Sequence, residues 1–304
     1  MAGSSDACRT IDRLTQIMKR NFSRGHAIRV IAILTALVLA PIMKSNPYFA
    51  LSFGFPEMEV EERVSFLAEA GFDGIAPHVW SDELLSEFER ALNTREVRTG
   101  ALNVVGVYFP YNFETESHRR IASRVVELGG YRKIPLWLAI KSEGATEERV
   151  LELVMELSDE AKQLGTTVVL YPHDRHYMLC VEDSLDVIEK ADRENLFTSL
   201  HLHQELRAGN HERLDEIVAR AASRSRLCTI SGANLPDAIN RGSRDWSDVV
   251  QPLSESAFDV EAFYRLLSKH GYSGPIGLQN FGIPGDPKIH HRESLALLRQ
   301  WGSK

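Results

Sequence analysis

The sequence predicts an α/β fold, a single (β/α)8 barrel, and three observations predict it. From Pro47 onward short β-rich runs alternate with amphipathic helical segments, the order of a parallel sheet with helices outside. The number of such pairs is eight, which closes such a sheet into a barrel. Near the two ends of the alternation the same corner recurs: Gly71-Phe-Asp-Gly-Ile75 and Gly271-Tyr-Ser-Gly-Pro-Ile276 each run from a helix end through a glycine and an aromatic into a strand.

The first unit pairs a strand over Tyr48–Gly54 with a helix over Glu59–Ala70, and the second pairs Gly74–His78 with Asp82–Asn93. Ala101–Phe109 with Glu116–Leu128 form the third. The fourth pairs Ile134–Ile140 with Glu147–Leu164 and carries the clearest helix signal. Thr146 is its N-cap, Glu147 and Glu148 sit at the positive end, and Val150, Val154, Leu157, Ala161 and Leu164 form one stripe before Gly165 stops it. The fifth and sixth units are Thr166–His173 with Glu182–Ala191 and Phe197–His203 with Glu212–Ala222. Leu227–Ser231 with Val260–His270, then Ile276–Phe281 with Ile289–Gln300, complete the set. The one long connection, Gly232–Asp259, reads as a lid or rim insert after the seventh strand.

With 304 residues, 43% hydrophobic and 25% charged, the composition is that of one globular domain, placed at residues 47–304. A net charge of -7 with scattered basic residues gives no nucleic-acid footprint and directs attention to small molecules. Cys8, Cys180 and Cys228 show no paired spacing, so neither a disulfide framework nor a thiolate zinc site is expected. Residues 1–46 read as lying outside the fold. Lys19, Arg20, Arg24 and Arg29 precede the apolar run Val30–Met43, the order of a secretory signal or uncleaved anchor. Export to the periplasm is the expected localisation, with a mis-assigned start and a cytoplasmic protein as the alternative. Membrane contact would come only through that segment, and homo-oligomer formation stays open.

Two strand ends carry polar clusters, Tyr171-Pro-His173-Asp174 and His201-Leu-His203-Gln204-Glu205. In a barrel of this kind the active face is built by the loops after the strands' C-terminal ends. Side chains two apart on a strand share a face, so Tyr171 with His173 and His201 with His203 are expected to converge. His78, Tyr108, Lys141, Ser231, Asn234 and Gln279 are further mouth candidates. Imidazoles suit a divalent metal as well as sugar hydroxyls, whereas no strand end offers an unambiguous inward carboxylate. The loop Gly282-Ile-Pro-Gly-Asp286 is a candidate phosphate site, opposed by its own Asp286.

On Gly71-Phe-Asp-Gly-Ile75, Val168-Val-Leu-Tyr-Pro-His173, Leu206-Arg-Ala-Gly209 and Gly271-Tyr-Ser-Gly-Pro-Ile-Gly-Leu-Gln279, the chain resembles the xylose isomerase-like TIM barrel superfamily from about Pro47 to Trp301, and most resembles a branch with Asp245-Trp246, Gln251-Pro-Leu253 and Gln279-Asn-Phe-Gly-Ile-Pro-Gly-Asp286. That group holds sugar phosphate isomerases/epimerases, ketose epimerases and the endonuclease IV type. The resemblance implies one divalent metal (Mn, Zn, Co or Mg) held by a glutamate, an aspartate, a histidine and a glutamate on the fifth to eighth strands, the glutamates also moving a proton next to a carbonyl. The matching positions are Tyr171, His201, Ser231 and Gln279, so each expected ligand is replaced. The resulting expectation is an isomerase/epimerase-like protein acting on a sugar or sugar phosphate. Its alternatives are a non-catalytic carbohydrate-binding barrel that has lost the metal and, below both, an endonuclease IV-type nuclease. His173, His201 and Tyr171 are the catalytic candidates. His78, Lys141, His203, Gln204, Asn234, Trp246 and Gln279 are the substrate-binding ones, and His201 with His203 the candidate metal ligands.

Overall fold

In the computed structural model the described residues are 46–303, so the expected export or anchor segment lies outside them except for Asn46. Asn46 already belongs to the fold, because its side-chain amide donates to Gly274 O at 2.8 Å. The strands are β1 (Tyr48–Leu51), β2 (Gly74–Ala76), β3 (Asn103–Val104), β4 (Val107–Tyr111), β5 (Leu136–Ile140), β6 (Val168–Leu170), β7 (Leu196–His201), β8 (Ser225–Ile230) and β9 (Ile276–Leu278). They pair in parallel in the order β3-β2-β1-β9-β8-β7-β6-β5-β4.

The expected third strand, Ala101–Phe109, is two pieces. β3 pairs with β2 and β4 pairs with β5, the break falling at Val105 and Gly106. A Cβ at Gly106 would stand 2.9 Å from Leu227 Cδ1, so a side chain there would require Leu227 to shift. Both pieces occupy one barrel position. Val105 N donates to Ile75 O at 3.0 Å and Tyr108 N to Pro77 O at 2.8 Å, so the sheet returns on itself beside β2.

The helices are α1 (Val60–Ala70), α2 (Asp82–Asn93), α3 (Arg95–Thr99), α4 (Ser117–Gly130), α5 (Glu147–Gln163), α6 (Val181–Ala191), α7 (Leu202–Ala208), α8 (Leu214–Ala221), α9 (Val260–Lys269) and α10 (Pro287–Gly302). Thr146 caps α5 as expected, its hydroxyl accepting from Arg149 N at 3.3 Å. Both repeated corners turn through left-handed glycines, Gly71 at φ +89° and Gly271 at φ +75°. Among the described residues, no helix is long and apolar enough to cross a membrane.

Alternation along the strands makes two apolar layers. One lies between sheet and helices; the other fills the barrel with Phe49, Leu51, Tyr108, Trp137, Val169, Tyr171, Phe197 and Leu227. The barrel is therefore closed by aromatic packing at its centre, and a cavity can exist only above it.

Candidate functional site

The floor of the mouth is a stack of rings. Tyr171 lies on His201 with centroids 3.9 Å apart and planes 21° apart, and Trp137 flanks His201 at 5.5 Å. His201 Nε2 meets Ser199 Oγ at 2.7 Å and its Nδ1 meets Thr229 Oγ1 at 2.7 Å. Ser199 also accepts from Trp137 Nε1 and donates to Leu170 O, each at 2.8 Å. One neutral tautomer satisfies the network, with Nε2–H donating to Ser199 and Thr229 donating to Nδ1. Burial, then the fields of His203 and His173, hold His201 well below its usual pKa. His201 is buried, has both ring nitrogens engaged and does not line the cavity, an arrangement that does not fit the expected catalytic or metal-binding role.

The expected pairing of His201 with His203 along one strand also fails, because β7 ends at His201 and α7 begins at Leu202. His203 instead sits on the first turn of α7 and lines the cavity. It is buried, and neither ring nitrogen has a protein partner. Burial, with Arg207 nearby, lowers its pKa to about 3. His173 reaches the same cavity from beyond β6; its Nδ1 stands 2.7 Å from Asp174 O, and burial followed by the field of His176 puts its pKa well below the usual value.

The cavity above this floor has a volume of about 420 Å³. Lys141, Tyr171, His173, His203, Gln204, Trp246 and Gln279 all line it, as the sequence leads one to expect. Gln279 Nε2 donates to the Tyr171 hydroxyl at 3.4 Å, while Gln204 Oε1 accepts from Asp174 N at 2.7 Å. Gln279 Oε1 and Gln204 Nε2 are buried without a protein partner. Phe53, Trp80, Tyr108 and Phe281 supply aromatic walls, with His118 beside them. Of these only Tyr108 stands out in the sequence. Phe53, Trp80 and Phe281 lie just past strand ends, where an aromatic residue is a usable signal; His118, on α4, carries no such sign.

Two expected residues are elsewhere. His78 does not line the cavity. It hydrogen-bonds Ser52 Oγ at 2.5 Å and packs against Trp80 at 4.7 Å, and burial lowers its pKa to about 4. Asn234 spends its side-chain oxygen on Gln251 Nε2 at 2.9 Å, inside the long connection. At Gly282–Asp286, the candidate phosphate loop, the Asp286 carboxylate itself takes Lys288 N at 2.8 Å at the start of α10, which opposes an anion there.

The connection after β8 is a folded rim. Its ends join through Gly232 N to Gln251 O at 2.8 Å and Gln251 N to Gly232 O at 2.9 Å. Arg207, buried on α7, donates to Asn240 O at 2.8 Å and Ser243 O at 2.9 Å, to Asp245 O, and to the Asp248 carboxylate. Its guanidinium also lies 4.7 Å from the Trp246 ring. Trp246 is thereby held over His173, centroids 5.2 Å apart, and His203 at 6.2 Å.

Glu205 makes no pair with Arg207. It is fully buried, accepts from Val181 N at 2.9 Å and Asn210 Nδ2 at 2.7 Å, and burial raises its pKa to about 7. A carboxyl raised in the fold stabilises it fully below pH ~4.5, and that contribution is lost as pH rises through about 7. Glu205→Gln removes the titration, and the Asn210 amide can turn to accept from the new NH2. The variant is expected to gain about 3 kcal/mol relative to the parent between pH 5 and pH 8, read from urea unfolding at both pH values. Equal gains at both would contradict a raised Glu205 pKa.

The residues at the four family ligand positions do not fit a divalent metal. Burial keeps Tyr171 protonated, His201 has both nitrogens engaged, Ser231 donates to Val249 O at 2.7 Å, and Gln279 is a neutral amide. Such a donor set brings no charge to offset a dication. Among the described residues no group of three His, Cys, Asp or Glu stands placed to hold a metal. Cys180 and Cys228 are free.

Comparison with known proteins bears on fold and family. A family model described as xylose isomerase-like TIM barrel matches residues 64–301. No curated protein matches the chain. A xylose isomerase domain containing protein from Salmonella typhimurium LT2 is 14% identical, with a TM-score of 0.67, covering 84% of this chain and 98% of its own. D-allulose 3-epimerase from Methylomonas sp. is 14% identical, TM-score 0.66, covering 85% and 98%. A xylose isomerase-like TIM barrel protein from Mycobacterium smegmatis, solved in complex with magnesium, is 17% identical, TM-score 0.63, covering 86% and 98%. At these identities the likeness shows a shared barrel.

Proposed function

Because the chain belongs to the xylose isomerase-like TIM barrel family, we propose that it binds a sugar or sugar derivative in the mouth cavity, and does so without the divalent metal of the family. One observation carries this reading. His203, Gln204 and Gln279 each bury a polar atom that has no partner among the described residues, and all three line one cavity with Trp246, Trp80, Tyr108 and Phe53. A sugar presents that combination in reverse, with hydroxyls at its edge to satisfy amides and imidazoles and C–H faces to lie on rings. Leaving those polar atoms unpaired costs about 1–3 kcal/mol each, so a ligand that pairs them gains affinity.

A second reading is proton transfer next to a carbonyl, as the name of the allulose 3-epimerase implies for that protein. The meeting of Tyr171 and Gln279 above His201, with His203 alongside, favours it. Basicity opposes it: a general base works best with a pKa near the operating pH, and His203 lies at about 3. The test is titration of the full chain with a panel of aldoses and ketoses, followed by tryptophan fluorescence from Trp80 and Trp246. Saturable, chelator-insensitive binding without conversion of the bound sugar is expected. Turnover lost in His203→Gln would establish the second reading, and failure of every sugar to bind would overturn both.

A further inference from the structure

Among the described residues, Lys141 is the single formally charged side chain lining the cavity. Burial lowers the pKa of each imidazole that lines it with Lys141, on His118, His173 and His203, and among the described residues no Asp or Glu lines it. Lys141 makes no ion pair among the described residues. Its position is fixed by the backbone: it directly follows β5, its N–H donates to Tyr111 O at 2.8 Å, and it bridges to His176. Its field helps to lower the pKa of His118 and of His176, second or third to burial or hydrogen bonding in each case. The chain as a whole carries -7, so a cationic cavity is a local feature that runs against the average.

We infer that the cavity selects a sugar derivative bearing one anionic group, a carboxylate or a phosphate, and that Lys141 reads that charge. The inference rests on the sugar-binding reading and names its substrate class. Lys141 is half-buried and makes no ion pair among the described residues, so an anionic ligand supplies a counter-charge that a neutral sugar cannot. The uncharged part of the ligand is then left to Gln204, His203, Gln279 and the Trp246 ring, which line the same cavity, while the anionic group meets Lys141.

The experiment is calorimetric titration of the full chain with glucose, glucuronate and glucose 6-phosphate, and with the corresponding fructose pair, with inorganic phosphate alone as a further probe. At least one anionic sugar is expected to bind tighter than its neutral parent by about tenfold or more, with the preference shrinking as salt rises. In Lys141→Gln the anionic-to-neutral ratio is expected to fall to near one, and in Lys141→Arg to be retained. The better of glucuronate and glucose 6-phosphate identifies the anionic group. Neutral sugars binding as tightly as charged ones, or a preference that survives Lys141→Gln, would overturn the inference while leaving sugar binding intact. Binding of inorganic phosphate with no sugar at all would overturn the sugar reading itself.

Discussion

Arg207→Met is expected to destabilise the protein by about 3–5 kcal/mol and to release the rim over the cavity, because it strands a buried charge partner. The Arg207 side chain is 1% exposed and that of Asp248 13%, so the pair is held out of solvent. Methionine keeps the alkyl stem but leaves the Asn240, Ser243 and Asp245 carbonyls and the Asp248 carboxylate without their donor. Asp248 also accepts from Asn240 N at 2.7 Å, so the loss propagates along the rim. Hydrogen exchange is expected to accelerate across residues 233–251, with ligand affinity falling as Trp246 is freed. Arg207→Lys should fall between, since a compact ammonium cannot serve four acceptors in a plane. Unchanged exchange in that segment would show that Trp246 is positioned by something else.

His203→Leu is expected to move stability and binding in opposite directions. The parent buries two ring nitrogens without a protein partner, and a leucine of similar bulk removes both, a gain of about 1–3 kcal/mol. The gain has a pH signature. With a folded pKa of about 3, the parent's neutral imidazole contributes fully above pH ~6.5, and that contribution is lost as pH falls toward 3, whereas leucine does not titrate. The variant's advantage should therefore widen from pH 7 to pH 4. Sugar affinity should drop by about tenfold or more, and His203→Gln should recover part of it. A variant that is less stable and binds normally would place His203 in the core of the fold and outside the site.

Most of the barrel was legible because its periods are clear: the stripe of α5, the glycine corners at Gly71 and Gly271, and the strand-helix alternation all reappear. Seven expected residues also line one cavity. What sequence reasoning misplaced depends on where strands stop. Alternation put His201 and His203 on one face, but β7 ends at His201, so one ring lies beneath the floor and the other above it. A tertiary hydrogen bond made the difference for His201, since Ser199 and Thr229 hold its nitrogens and neither is marked by spacing. The split between β3 and β4 falls beside Gly106, where Leu227 of a distant strand comes close, a neighbour that local sequence does not announce.

Metal content tests most directly the proposal that this barrel works without the family's divalent metal. The full chain, purified without chelator, is to be analysed for Mn, Zn, Fe, Co and Mg, and the sugar titration repeated with added Mn2+ and with chelator. The expected result is far less than one metal per chain and an affinity unmoved by either addition. One tightly held metal per chain, lost in His201→Ala, would contradict it and restore the family's metal-dependent site to this barrel.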